Sequence, residues 1–242
     1  MLNMFLNRKK TSPASPNGSA PVGNHIHQGS RHLEFLKLGS KLVSLVQQAI
    51  PLQESGVIFT ITSATPGEGK SFVTESLAIN MAQQANMRIL LVNASASNPV
   101  WSEEYTMLLD ESSTDPYQSI EAGTERQLDV YYTKHVNLHF GSFVTHNNST
   151  TFADPSNILN LYRDLKQRFD IILVDGKSLR EEGTYPLLEL ADHVVLVVDS
   201  SSSKREVLRA YLDEMDSLKE KILGVVLNKN QHYIPSAIYE RL

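Results

Sequence analysis

A run of apolar and β-branched residues, Val57-Ile58-Phe59-Thr60-Ile61-Thr62, passes without a break into Ser63-Ala64-Thr65-Pro66-Gly67-Glu68-Gly69-Lys70-Ser71. Phe72, Leu77, Ala78, Met81 and Ala82 then recur at helical spacing as far as Ala85. The order is therefore a buried strand, a glycine-rich turn and a helix. A buried strand needs cover on both faces, and the helix must return onto the sheet that the strand belongs to. In that context Gly67-x-Gly69-Lys70-Ser71 is the pattern of a phosphate-binding loop. The glycines let backbone N–H groups turn inward around phosphate oxygens, and the helix N-terminus adds partial positive charge. Lys70 can reach the β and γ phosphates, and the Ser71 hydroxyl can ligate magnesium. Ala64 stands where the full G-x-x-x-x-G-K-[ST] pattern has its first glycine.

The rest of the chain alternates in the same way. Strands are expected at Ile89 to Val92, Leu138 to Phe143, Ile171 to Val174 (ending at Asp175), Val194 to Val198 (ending at Asp199) and Ile222 to Leu227 (ending at Asn228). Helices are expected from Arg31 to Ala49, from Asp154-Pro155 onward, from Thr184 to Ala191 and from Ser203 to Leu218. Ile158, Leu159, Leu161, Tyr162 and Leu165 form the predicted buried face of the second of these helices. Val207, Ala210, Tyr211, Met215 and Leu218 form that of the last. Residues 94–118 and 142–151 read as polar connections. The expected fold is α/β, a doubly wound and mostly parallel sheet. In such sheets ligands sit off the carboxyl ends of the strands, where Gly67 to Ser71, Asn93, Asp175, Asp199 and Asn228 all fall.

Charge separates a tail from this body. Residues 1–33 carry four cations (Arg8, Lys9, Lys10, Arg31) and no acid, whereas the remaining 18 cations and 27 acids give −9. Thr11 to Gly29 is rich in Ser, Pro, Asn, Gly and His and lacks an apolar period, so residues 1–30 read as a disordered basic tail and 31–242 as one nucleotide-binding domain. A net charge of −5 argues against a nucleic-acid partner. The absence of cysteine excludes disulfides, thiolate catalysis and zinc–thiolate sites. No run of ~18 apolar residues exists to span a membrane. The pairs His25/His27 and His135/His139 have no carboxylates at matching spacing and are a poor metal signal.

The loop Ser63 to Ser71 resembles that of bacterial tyrosine kinases, the ATPase modules of capsule and exopolysaccharide synthesis and export. These share a P-loop NTPase group with the partitioning and septum-positioning ATPases. Ile89-Leu90-Leu91-Val92-Asn93-Ala94-Ser95 with Pro99 is similar to that family's second Walker motif, and Asp170-Ile171-Ile172-Leu173-Val174-Asp175 to its Walker B strand. Ala191 to Val198, Leu223 to Asn228 and the ending Tyr233-Ile234-Pro235 with Tyr239 are also family-like. The resemblance implies ATP or ADP and Mg2+ as cofactors. It implies Pro66, Gly67, Glu68, Gly69, Lys70, Ser71, Phe72 and Asn228 as the nucleotide-binding set, Asn228 reading adenine. It makes Lys70 and Asp175 catalytic and Ser71 and Asp175 the magnesium ligands. It further implies a membrane-anchored polysaccharide chain-length or export protein as partner, a homo-oligomer, and a cytoplasmic location peripheral to the inner membrane.

The departures concern activity. Asn93 and Ser95 occupy the positions of two family aspartates that help hold magnesium and activate the attacking tyrosine, and neither can serve as an anionic base. Lys37 and Ser40 stand where the family's assembly motif has arginines, and lysine does not reproduce a bidentate arginine contact. Tyr233 and Tyr239 are all that remains of a terminal tyrosine cluster. The expected function is a nucleotide-binding, tyrosine-kinase-like regulator of exopolysaccharide or capsule biosynthesis or export, with weak or absent phosphotransfer. The alternatives are an active tyrosine autokinase of the same pathway and a partitioning-type ATPase.

Overall fold

The structure, a computed structural model, describes residues 2–5, 40, 44, 55–84, 86–94, 118–122, 125–143, 155–203, 205–214 and 216–229. Its strands are β1 (Leu2–Phe5), β2 (Val57–Ser63), β3 (Ile89–Asn93), β4 (Gln118–Ala122), β5 (Glu125–Tyr132), β6 (Leu138–Phe143), β7 (Ile171–Asp175), β8 (His193–Asp199) and β9 (Ile222–Asn228). Its helices are α1 (Lys70–Gln84), α2 (Pro155–Arg168), α3 (Thr184–Leu190) and α4 (Arg205–Glu214), with a 3-10 helix at Asp216–Lys221.

Among the described residues, the nine strands form one sheet in the order β1-β9-β8-β2-β7-β3-β6-β5-β4. Pairing is parallel from β1 to β6 and antiparallel for β6-β5-β4. The sequence dictates this core directly. Every residue of β2, β3 and β7 is buried, as their mostly apolar, β-branched runs require when both faces are covered. On one face, Val73, Leu77, Ala78 and Met81 of α1 pack onto Phe59, Ile61, Leu91, Phe140 and Leu173. On the other, Ile158, Leu161, Tyr162 and Leu165 of α2 and Leu187 and Leu188 of α3 pack onto Ile58, Leu90, Ile172 and Leu196. Proline at the first position of α2 costs no hydrogen bond, and Lys166 and Arg168 in its last turn complement the helix dipole.

Two strand regions were not anticipated, and two expectations are corrected. Leu2–Phe5, within the stretch expected as tail, pairs in parallel through its backbone with Gly224 to Leu227 and occupies an edge that β9 would otherwise leave with open N–H and C=O groups. Residues 118–132 supply an antiparallel pair of strands, where Ile120, Leu128 and Val130 are buried and Ser119 is exposed. Leu159 is 44% exposed because it lies at the flank of the α2 stripe, and Ala210 is likewise exposed on α4. Within the helix expected over 203–218, the described α-helix covers Arg205–Glu214, whereas Asp216–Lys221 form a tighter 3-10 helix. Most of the expected helix at 31–49, with Lys37, lies outside the described residues, as do Ser95, Pro99, residues 144–154, Met215, Tyr233 and Tyr239.

Candidate functional site

The chain leaves β2 for β3 on one side of the sheet and later returns to place β8 and β9 on the other. The loop between β2 and α1 therefore opens where the winding reverses, at the carboxyl edge. Gly67 and Gly69 have φ of 82° and 94°, left-handed values that glycine adopts freely. Pro66 and Gly67 are exposed at the mouth, Ser71 and Phe72 are half-buried, and Lys70 is 7% exposed as α1 begins. Phe72 packs against the core. Glu68 is buried, and its carboxylate accepts hydrogen bonds from Thr65 N at 3.2 Å and from the Ser203 hydroxyl. Its side chain thus turns back into the protein, leaving its backbone to line the loop.

A cradle this tight tolerates little. A Cβ on Gly69 would lie 2.0 Å from Asn228 Nδ2, whereas one on Gly67 would meet nothing within 4 Å. Gly69→Ala is expected to destabilise the fold by ~2 kcal/mol or more, through backbone strain and this clash, and Gly67→Ala by about 1 kcal/mol from strain alone. Denaturant midpoints of the two variants check the difference.

Across the loop, Asp175 ends β7, fully buried, and is paired in register with Ile61 of β2 and Asn93 of β3. Asn93 is in turn paired with Ser142 of β6. The expected neighbour of Asp175 is thus in place, but it is an amide. Gly176 N donates to Ile61 O at 2.9 Å and Leu179 N to Ser63 O at 2.8 Å, which holds the segment after Asp175 against the base of the phosphate loop.

Three features were not read from the sequence. Glu181, in that same segment, accepts from Ser178 N at 2.7 Å and from the Ser178 hydroxyl. Burial opposes its charge, but those bonds and the nearby charges of Lys70 and Lys177 outweigh burial and lower its pKa. Asp199 and Lys229, beyond β8 and β9, form an ion pair at 2.7 Å, and Lys229 Nζ also donates to the Gly67 carbonyl at 2.7 Å. Burial disfavours the Asp199 charge, yet Lys229, Ser201 and Ser202 hold this carboxyl well below the usual range. Asn228 is wholly buried, with Nδ2 donating to the Glu68 carbonyl at 2.8 Å and Oδ1 accepting from Lys229 N at 2.9 Å. Asp199 and Asn228 were legible as strand ends, and Lys229 follows Asn228 directly. Glu181 carried no sequence signal.

Among the described residues no cluster of three or more His, Cys, Asp or Glu could hold a metal ion by itself. The oxygen donors at the loop, Ser71 and Asp175, are hard ligands of the kind magnesium takes alongside phosphate oxygens, so the residues present fit a magnesium–nucleotide complex rather than a metal held by protein alone. No helix among the described residues is long and apolar enough to cross a membrane.

The family model for cellulose biosynthesis protein BcsQ matches residues 57–218, which contain the phosphate loop, Asn93 and Asp175. The chain belongs to that family. The resemblance to bacterial tyrosine kinases is also borne out. Tyrosine-protein kinase YwqD of Bacillus subtilis is 27% identical over 178 residues, covering 69% of this chain and 70% of that protein. Succinoglycan biosynthesis transport protein ExoP of Rhizobium meliloti is 29% identical over 188 residues, 75% of this chain but 23% of ExoP. Among solved structures, the kinase domain of Escherichia coli tyrosine kinase ETK superposes with a TM-score of 0.67 at 15% identity, over 96% of this chain and 91% of that one. The septum site-determining protein MinD of Pyrococcus horikoshii superposes with a TM-score of 0.55 at 20% identity, over 77% and 76%. The α/β P-loop NTPase fold is therefore common to this BcsQ-family chain, the tyrosine kinases and MinD.

Proposed function

We propose that this chain binds ATP or ADP with magnesium at the Gly67–Ser71 loop and acts as a tyrosine-kinase-like regulatory subunit of exopolysaccharide biosynthesis or export, with little or no phosphotransfer. The observation that carries the reading is the pairing of Asn93 beside Asp175, in a sheet whose phosphate loop keeps Gly67, Gly69, Lys70 and Ser71. Loop N–H groups, the N-terminus of α1 and Lys70 supply the positive potential that a polyphosphate needs. Ser71 and Asp175 would hold magnesium, which when bound neutralises phosphate charge. Asn93 cannot accept the proton of an attacking hydroxyl, so the binding half of the site is kept and the transfer half is weakened. One general base contributes ~10²–10⁴-fold to a rate.

The pathway assignment is supported by the names of the BcsQ family and of ExoP. ExoP carries its matching region within a much longer protein. We infer for this chain a separate membrane-anchored chain-length or export partner, which would keep it at the cytoplasmic face of the inner membrane.

Calorimetry with Mg-ADP and Mg-ATP, paired with labelled ATP and detection of phosphotyrosine over hours, tests the reading. Binding without transfer is expected. Rapid autophosphorylation would sink the regulatory form in favour of an active kinase, and absence of nucleotide binding would sink both.

A further inference from the structure

The outer side of the phosphate loop is held from the ends of β8 and β9. Lys229 Nζ donates to the Gly67 carbonyl, Asn228 Nδ2 donates to the Glu68 carbonyl, and the Ser203 hydroxyl donates to the Glu68 carboxylate. The described chain has no cis peptide bond. In a trans peptide the carbonyl of one residue and the N–H of the next point in opposite directions. Drawing the Gly67 and Glu68 carbonyls towards β9 therefore turns the N–H groups of Glu68 and Gly69 away from β9, into the hollow in front of α1. These are the N–H groups that a phosphate requires in such a loop.

Lys229 is built for this contact at some cost. Its φ of 56° is the only positive value among the described non-glycine residues, and L side chains rarely adopt that region. Backbone strain of this kind persists where the surroundings over-determine it. Here the surroundings are the Gly67 carbonyl and the carboxylate of Asp199, which is 4% exposed and is also held by Ser201 N and its hydroxyl at 2.9 and 2.6 Å. A lysine ammonium has three donors on a compact head, which lets it serve two oxygens at once.

We propose that Lys229 is a positioning residue of the nucleotide site: anchored on Asp199, it holds the Gly67 carbonyl and so aims the loop N–H groups at the nucleotide phosphates. The proposal rests on the nucleotide-binding reading above. Lys229 acts through the loop backbone, and Asn228, for which the family resemblance implies an adenine contact, completes the same brace through Glu68.

The test uses the full chain, Mg-ADP as ligand, and calorimetry together with the melting temperature of the ligand-free protein. Lys229→Ala is expected to weaken Mg-ADP binding ~10- to 100-fold, the loss of a charge-assisted hydrogen-bond pair. Lys229→Arg is expected to recover affinity to within about threefold of wild type, because a guanidinium can also bridge two oxygens. Asp199→Asn, which keeps the shape and removes the anchor charge, is expected to weaken binding ~3- to 10-fold. A purely structural lysine would lower the melting temperature and leave affinity alone. Lys229→Ala affinity within about twofold of wild type, or an arginine variant no better than alanine, overturns the proposal. If Lys229→Ala does not fold, Asp199→Asn decides alone, with the same twofold limit. A wild-type protein that fails to bind Mg-ADP overturns the nucleotide reading itself and this proposal with it. A wild-type protein that binds, with unaffected variants, overturns only this one.

Discussion

Lys70→Ala is expected to weaken Mg-ATP and Mg-ADP binding by ~100-fold or more while leaving the fold intact. Lys70 is the first residue of α1, and burial of its side chain at the loop leaves its charge poorly screened by water. Its removal subtracts the strongest single attraction for a polyphosphate. The helix should survive, since alanine is the best helix former and the Lys70 carbonyl keeps its bond from the Thr74 hydroxyl at 2.9 Å. Calorimetry of the variant beside its melting curve checks both halves. Affinity retained within a few-fold would mean that phosphate does not sit in this loop. In cells, the same variant should lose polysaccharide output, and unchanged output would make nucleotide binding dispensable.

The double change Asn93→Asp with Ser95→Asp should move transfer in the other direction. A carboxylate at position 93, paired with Asp175, together with a second at position 95, is expected to raise phosphotyrosine formation ~10²–10⁴-fold, the ordinary contribution of a general base. Stability should fall at the same time. A carboxylate at position 93 would lie directly opposite Asp175 on a paired strand, in a part of the sheet where Asn93 is 5% exposed and Asp175 is wholly buried. Like charges so placed are expected to cost the ligand-free protein about 1–3 kcal/mol, with magnesium and nucleotide restoring most of it. Denaturant midpoints with and without Mg-ATP, read beside a labelled-ATP assay, give both signs. Normal Mg-ATP binding with no gain in transfer would show that something other than the missing carboxylates limits the reaction.

The parallel half of the sheet was legible because its strands are dense apolar and β-branched runs, each stopped by a polar residue. Val57 to Ser63, Ile89 to Asn93, Ile171 to Asp175 and Ile222 to Asn228 carry that pattern, and a strand of that kind has few other places to go. The β4–β5 pair was harder. Gln118-Ser119-Ile120-Glu121-Ala122 has one strongly apolar residue in five, and its partner becomes apolar only at Leu128, so the period of two is short and diluted. β1 was missed because Leu2–Phe5 is four residues beside a basic triplet, and its pairing with β9 is non-local. The same distinction holds at the site. The glycine loop, Lys70, Ser71 and Asp175 follow a local pattern. The inward turn of Glu68, the approach of Glu181 to Lys70 and the reach of Lys229 to Gly67 each depend on where separate strands end relative to one another, which spacing along the chain does not encode.

Helix α1 begins at the phosphate loop, and among the described residues it is the only helix that covers its face of the sheet. Phe59, Ile61, Leu91, Phe140 and Leu173 all lie beneath it. A nucleotide gripping the first turn of α1 would therefore act as a fastener for a whole layer of the protein. Slowed amide exchange should extend along that helix and into the central strands instead of staying near the loop. Any partner that prises α1 away would loosen the molecule and eject the nucleotide in one motion.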